Sequence, residues 1–155
     1  MKTKKNGGIL YNNPLHVKND IDTLVGQRDQ DINDDYCKFI SPRYGWRAAF
    51  IFLFQAYEDG NETVEDLVRD VCPDYKGFDS DKIAAFVEKT SWLAHDEAMP
   101  SPYYNATFWT QLAECIALAL NNIDKIVEKS EMWIGWAMAW SYYFDLNAEY
   151  KKRDI

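Results

Sequence analysis

The chain has 155 residues, room for one domain, and 47% of them are hydrophobic, which is enough for a packed core and excludes a disordered composition. It carries 17 basic and 25 acidic residues, a net charge of −8. That balance argues against binding a nucleic-acid backbone or an anionic membrane surface, because both need a basic face.

The first 40 residues are rich in Asn, Asp, Gly and Lys and contain only short apolar groups. This composition predicts short strands or irregular loops. The N-terminus is basic, but no apolar run of signal-peptide length follows it, so no signal peptide is predicted.

The first predicted helix begins at Ser41 and Pro42, an N-cap residue followed by proline at the first helical position. It runs to about Glu58, and Gly60 ends it. Apolar residues cover most of its circumference, which is typical of a central, buried helix.

Three further helices are predicted along the chain. Thr63 caps one that ends before Pro73, another begins near Ser80, and a third runs from about Thr107 to Leu120. With a last helix near the C-terminus, about five helices follow a loop-rich, weakly stranded front. The predicted fold class is mainly α, with α+β possible.

The last predicted helix covers residues 131–146 and is rich in tryptophan. One face carries four aromatic side chains: Trp133, Trp136, Trp140 and Tyr143. Such a stripe is usually core, but Trp is also enriched at interaction hot spots, so a partner-binding or self-association surface is the second interpretation. The uncharged run inside this helix is too short for a membrane span.

The residue pattern contains no recognisable metal or cofactor motif. The three cysteines are Cys37, Cys72 and Cys115. Their spacing predicts reduced thiols rather than a disulfide framework or a zinc site. The acidic stretch 29–34 lacks the glycine and the final glutamate of a calcium loop. Nucleophile and phosphate-binding motifs are also absent, so no metal, cofactor or catalytic residue is predicted.

Two blocks of sequence carry a family resemblance: Asn12-Asn13-Pro14-Leu15-His16-Val17-Lys18, and residues 39–48 with the sequence Phe-Ile-Ser-Pro-Arg-Tyr-Gly-Trp-Arg-Ala. They resemble a domain found widely in phage and Bacteroides-type genomes that opens with Asn-Asn-Pro-x-Asn-Ile-Arg. Its members are often labelled virion structural or cell-wall-lytic proteins. Weaker matches lie at residues 24–27, 63–73 and 85–87.

The resemblance covers about residues 7–122. The same order of motifs is similar, more distantly, to the later part of bacterial glucosaminidase domains. It implies a lysozyme-like helical domain that binds the glycan of peptidoglycan. Amide and aromatic side chains suit sugar hydroxyls and ring faces, so the residues expected to bind glycan are Asn12, Asn13, His16, Gln27, Tyr44 and Arg47.

The acidic residues of the glucosaminidase pattern have no counterpart here. No acidic residue precedes Asn13, and residues 120–122 read Leu-Asn-Asn where the family tends to have Glu-Asn-Gly. Glycoside hydrolysis ordinarily needs two carboxyl groups, so hydrolytic activity is doubtful.

We expect one domain over residues 1–155, with 123–155 as a Trp-rich extension. The alternative to a peptidoglycan-associated domain is a non-catalytic virion structural or interaction component. The expected location is the cytoplasm of the host cell or a virion. An acidic mimic of nucleic acid is a third possibility, suggested by the net charge alone.

Overall fold

The computed structural model describes residues 9–19, 24–29, 33–72, 79–91 and 97–144. Over these ranges the fold is mainly helical, which confirms the predicted class. The helices are α1 (Pro42–Glu58), α2 (Val64–Val71), α3 (Ser80–Ser91), α4 (Ala106–Asn121) and α5 (Lys129–Phe144). Within the same ranges, β-structure is limited to isolated bridges, such as those pairing Lys18 with Tyr36 and Gln27 with Phe39.

Helix α1 is the central helix that its all-round apolar sequence predicts. Its start has Pro42 in the first turn, but the extended Ser41 makes no side-chain cap bond. A distant residue takes that role, because the Glu131 carboxylate accepts a hydrogen bond from the backbone N–H of Arg43 at 3.1 Å. The helix ends at Glu58, and Gly60 follows with a φ of +112°.

Helices α1 and α5 run side by side in the same direction. Arg43 and Glu131 pair near their N-terminal ends, and the Tyr143 hydroxyl donates a 2.7 Å hydrogen bond to Glu58 near their C-terminal ends. The two backbones approach closely at Gly135, where an added Cβ would clash with Trp46 and with the backbone of Arg43. The absence of a side chain at this position therefore sets the spacing of the pair.

The core between the helices is dominated by aromatic rings. Trp136 meets Phe50 and Phe54 edge-on, with ring centroids 5.2 and 5.3 Å apart. Trp109 of α4 meets Tyr57 in the same manner at 5.4 Å. Edge-to-face pairs of this kind contribute beyond the area they bury, so the aromatic excess of the composition is used largely inside the bundle.

The remaining helices match their predicted positions closely. The Thr63 hydroxyl accepts a hydrogen bond from the N–H of Asp66 at 3.2 Å and so caps α2. Helix α4 is one residue longer at each end than predicted. Helix α5 begins two residues earlier than predicted, and the last two residues of its predicted range lie outside the described residues.

The N-terminal residues form a layer of loops against the start of α1, and we call residues 9–19, 24–29 and 33–40 the loop layer. A second, smaller cluster of buried residues lies there, formed by Cys37, Phe39 and Ala48. The layer approaches α1 at Gly45, where an added Cβ would clash with the carbonyl oxygen of Asn12.

Candidate functional site

Asn13 is an internal brace of the loop layer. The residue is 3% exposed, and its side-chain NH₂ donates to the carbonyl oxygens of Val17 and Cys37, both at 2.9 Å. Its side-chain oxygen accepts the N–H of Val17 at 2.8 Å. These three bonds join two segments of the layer, so the Asn13 side chain stabilises the fold and has little surface to offer a sugar.

Asn12 lies in a strained part of the same layer. Tyr11 and Asn12 have φ values of +57° and +58°, in the left-handed region that bulky L-residues rarely adopt. The Asn12 side chain donates to the carbonyl oxygen of Phe39 at 3.0 Å, while the N–H of Phe39 donates to the carbonyl oxygen of Tyr11 at 2.9 Å. These two bonds hold the strained turn against residue 39.

His16 connects the loop layer to the end of α4. Its Nε2 lies 3.0 Å from the side-chain oxygen of Asn121, and the Asn121 amide donates to the carbonyl oxygen of Pro14 at 2.9 Å. Asn121 is 8% exposed, so this contact is largely shielded from water. Asn121 is therefore a structural partner of the Asn12-Asn13-Pro14 segment.

Gln27 also lies within the layer, and Tyr44 of α1 packs against it. The Gln27 side chain accepts the N–H of Leu24 at 2.8 Å and donates to the side chain of Asn19 at 3.1 Å. Tyr44 packs its ring against Gly26, whose φ is +77° and whose missing side chain leaves room for that ring. Both residues are half-buried.

Arg47 lies apart from the other predicted glycan-binding residues, between α1 and α5. It is 9% exposed, and its guanidinium carbon lies 5.0 Å from the ring centre of Tyr142. Burial lowers the pKa of this guanidinium from its ordinary value, and the Tyr142 hydroxyl acts in the opposite direction. The structure thus gathers Asn12, Asn13, His16 and Gln27 in one layer and places Arg47 at a helix–helix contact.

A carboxylate that faced the loop layer could serve as a catalytic acid. One candidate, Glu114 on α4, forms an ion pair with Lys129 at 3.3 Å. Two other candidates, Asp20 and Asp22, lie outside the described residues. Among the residues that are described, no group of three or more His, Cys, Asp or Glu side chains is arranged to hold a metal ion.

The outward side of the loop layer carries a small aromatic and basic surface. The amine of Lys38 lies 4.5 Å from the Tyr11 ring centre, and the guanidinium carbon of Arg28 lies 5.5 Å from it. Ile40 is 61% exposed and Tyr11 is 43% exposed. We call Tyr11, Arg28, Lys38 and Ile40 the Tyr11 patch. Sequence analysis did not identify it, although Tyr11 immediately precedes the family motif.

The four aromatic residues predicted on one face of α5 divide between the core and the surface. Trp136 is 8% exposed and belongs to the core, while Trp140 and Tyr143 are half-buried and pack against it. Trp133 is 43% exposed. Tyr142 is 41% exposed, but it lies nine residues further along, on the opposite side of the helix from Trp133. The exposed aromatic residues of α5 are therefore Trp133 and Tyr142, and they do not share a face.

The three cysteines are buried thiols that form no disulfide. Burial raises the pKa of the Cys72 thiol to about 12, which keeps it protonated and unreactive at neutral pH.

In the part of the chain that the structure describes, no helix combines the length and the hydropathy needed to cross a bilayer. No protein-family model matches the chain, and no curated protein matches it significantly.

Proposed function

We propose that this chain is a peptidoglycan-associated domain of a phage or mobile element, lysozyme-like in its helical design, which binds wall glycan without hydrolysing it. The observation that carries the proposal is the contact between the two motif blocks. Residues 12–18 and 39–48 carry the resemblance, and they pack together through the Asn12–Phe39 hydrogen bond and the close approach at Gly45. Their coexistence in the sequence thus has a structural reason.

The non-hydrolytic part of the proposal rests on the carboxylates. A retaining or inverting glycosidase ordinarily needs two carboxyl groups about 5 to 9.5 Å apart across a cleft. Asn121 occupies the region of the family's Glu-Asn-Gly segment and is engaged with Pro14 and His16. Glu114 is paired with Lys129. This arrangement favours a domain that keeps the scaffold of the family and uses it for binding.

Binding and hydrolysis are separable in one experiment. The full chain is mixed with purified sacculi, and the pelleted protein and the reducing ends released are measured from the same tube. We expect the protein to pellet with the sacculi and the reducing ends to stay at the level of a no-protein blank. Hen egg-white lysozyme provides the positive control for release.

Two outcomes would contradict the proposal in different ways. Protein that stays in the supernatant at every sacculus concentration would exclude peptidoglycan association. Release of reducing ends above the blank would show hydrolysis and overturn the non-hydrolytic part. In that case, changing Asp20, Asp22 and Glu114 singly to the corresponding amide would identify the acid.

A second candidate function is a virion structural or interaction component that uses the outer face of α5. Residues 132–144 carry no charge, yet Trp133 is exposed there, and the exposed small residues Ala137 and Ser141 follow it on the same face at four-residue spacing. Two copies packed with antiparallel α5 helices would place each Trp133 over the small residues of the other copy. Such an arrangement satisfies the self-complementarity of a two-fold interface.

Sedimentation velocity over a wide concentration range tests this second candidate. We expect Trp133→Ala to shift a dimer toward monomer, and Phe86→Ala, which removes a 39% exposed ring on α3, to leave it unchanged. A wild-type chain that is monomeric at the highest concentration would exclude self-association through this face.

A further inference from the structure

The Tyr11 patch combines features that no packing requirement explains. Tyr11 holds a φ of +57°, a conformation that glycine or asparagine adopts at lower cost, yet the position has a large ring that is 43% exposed. Strained backbone that persists in a rigid setting is often associated with a functional position. Here the hydrogen bonds at Phe39 supply that setting.

The backbone of the loop layer determines which side chains share the patch. Gln27 and Phe39 form an antiparallel bridge, and Phe39 is 1% exposed, so its side chain points inward. Because side chains alternate along an extended segment, Lys38 and Ile40 point outward together. Arg28, whose N–H donates to the carbonyl oxygen of Lys38 at 2.7 Å, lies beside them.

The charges in the patch run against the net charge of the chain. The chain carries −8 overall, but Arg28 and Lys38 both face the Tyr11 ring. Lys38 forms an ion pair with Asp34 at 3.6 Å, a long contact that a better-placed anion would displace. The Arg28 guanidinium is exposed and has the planar geometry that holds a carboxylate through two hydrogen bonds.

We propose that the Tyr11 patch binds a peptide-substituted saccharide, in which the free carboxylate is carried by the peptide attached to the sugar. The apolar face of the sugar lies on the Tyr11 ring and Ile40, and the carboxylate pairs with Arg28 and Lys38. A neutral sugar would offer no carboxylate to the Arg28 guanidinium, and a phosphate polymer would require a longer basic face than two side chains provide. The inference rests on the proposed function and names the chemistry by which the wall glycan is recognised.

Binding to sacculi stripped of teichoic acid tests the patch directly. We compare the full chain with Tyr11→Ala, Arg28→Gln and Lys38→Gln, and use Tyr104→Ala and Lys82→Gln as controls at exposed positions elsewhere. We expect the dissociation constant to rise at least about tenfold for Tyr11→Ala and Arg28→Gln, somewhat less for Lys38→Gln, and less than about twofold for the controls. Amidation of the sacculus carboxylates should weaken wild-type binding to the level of Arg28→Gln.

A further variant separates binding from folding. Tyr11→Gly removes the ring at a position where the backbone already favours glycine, so the variant should unfold at nearly the wild-type temperature while binding as weakly as Tyr11→Ala. Matching far-ultraviolet circular dichroism confirms that each compared variant is folded.

The outcomes distinguish this inference from the proposed function. Patch variants that bind stripped sacculi as tightly as the wild type would overturn the inference and leave the proposed function intact. Unchanged binding to amidated sacculi would overturn the carboxylate assignment. Binding that requires teichoic acid would move the recognition to phosphate and likewise overturn it. A wild-type chain that binds no sacculi at all would overturn both proposals.

Discussion

The loop layer and the helical bundle are held together by different forces. In the loop layer, side-chain amides bind backbone groups, as Asn13 does with Val17 and Cys37. In the bundle, aromatic rings pack edge-on, as Trp136 does with Phe50. Directional hydrogen bonds specify one loop conformation, whereas buried rings supply most of the free energy of packing.

This difference changes how the motif residues are interpreted. Amides near aromatic residues suggest a sugar site in the sequence, but Asn12, Asn13 and Gln27 are engaged with the loops that carry them. The side chains that remain accessible are neighbours of the motif, such as Tyr11 and Arg28. The motif therefore builds a support, and residues beside it provide the surface.

The largest effect on stability is expected in the bundle. Trp136→Ala should lower the free energy of unfolding by about 3 to 5 kcal/mol, because it removes a buried ring from between Phe50 and Phe54. Urea unfolding followed by circular dichroism measures the change. Trp133→Ala provides the control on the same helix, and an equal loss at this exposed position would contradict the division of α5 into a core side and an outer side.

The next effect tests the junction between the two regions. Gly45→Ala keeps α1 helical but places a methyl group against the carbonyl oxygen of Asn12. We expect a loss of about 3 kcal/mol, since a backbone atom cannot move away as a flexible side chain would. Gln55→Ala, at an exposed position of the same helix, should change the urea midpoint very little, and a neutral Gly45→Ala would show that the loop layer does not seat on α1.

A smaller loss is expected inside the loop layer itself. Asn13→Ala leaves the carbonyl oxygens of Val17 and Cys37 and the N–H of Val17 without this partner. We expect a loss of about 2 kcal/mol, together with faster amide exchange at Val17. Hydrogen exchange monitored residue by residue is the measurement, and protection that is unchanged at residue 17 would argue against the bracing role.

The helices were predictable because their signals are local. Pro42, Thr63 and Gly60 mark helix ends through the immediate geometry of the chain, and the structure has ends at or beside each of them. The contact of Glu131 with the start of α1 was not predictable, since the two partners are 88 residues apart. Periodicity indicates that a side chain faces the interior without indicating which distant group it meets.

The candidate site was less predictable than the fold for the same reason. Asn13 and Arg47 were identified by residue type and motif, but only tertiary contacts show that one braces a loop and the other lies under Tyr142. Tyr11 was missed because nothing in the local sequence indicates a left-handed backbone at a tyrosine. Of the patch, the sequence pattern shows only that basic and aromatic residues lie near the motif.

The smallest effect concerns the ion pair that joins the starts of α1 and α5. Hydrogen bonds from Arg43 hold the pKa of the Glu131 carboxyl below its ordinary value. A lowered carboxyl pKa adds stability above the unfolded-state pKa, and this contribution is lost as the pH falls through the folded-state value.

Glu131→Gln retains an acceptor for the Arg43 N–H but removes the charge. Its unfolding temperature should therefore lie below that of the wild type at pH ~7, and the two temperatures should approach each other as the pH falls below about 4.3. Thermal scans across this range, with Glu62→Gln as the exposed control, measure the difference. A gap that persists unchanged in acid would mean that the substitution acts through lost hydrogen-bond geometry at Arg43 rather than through the lost charge.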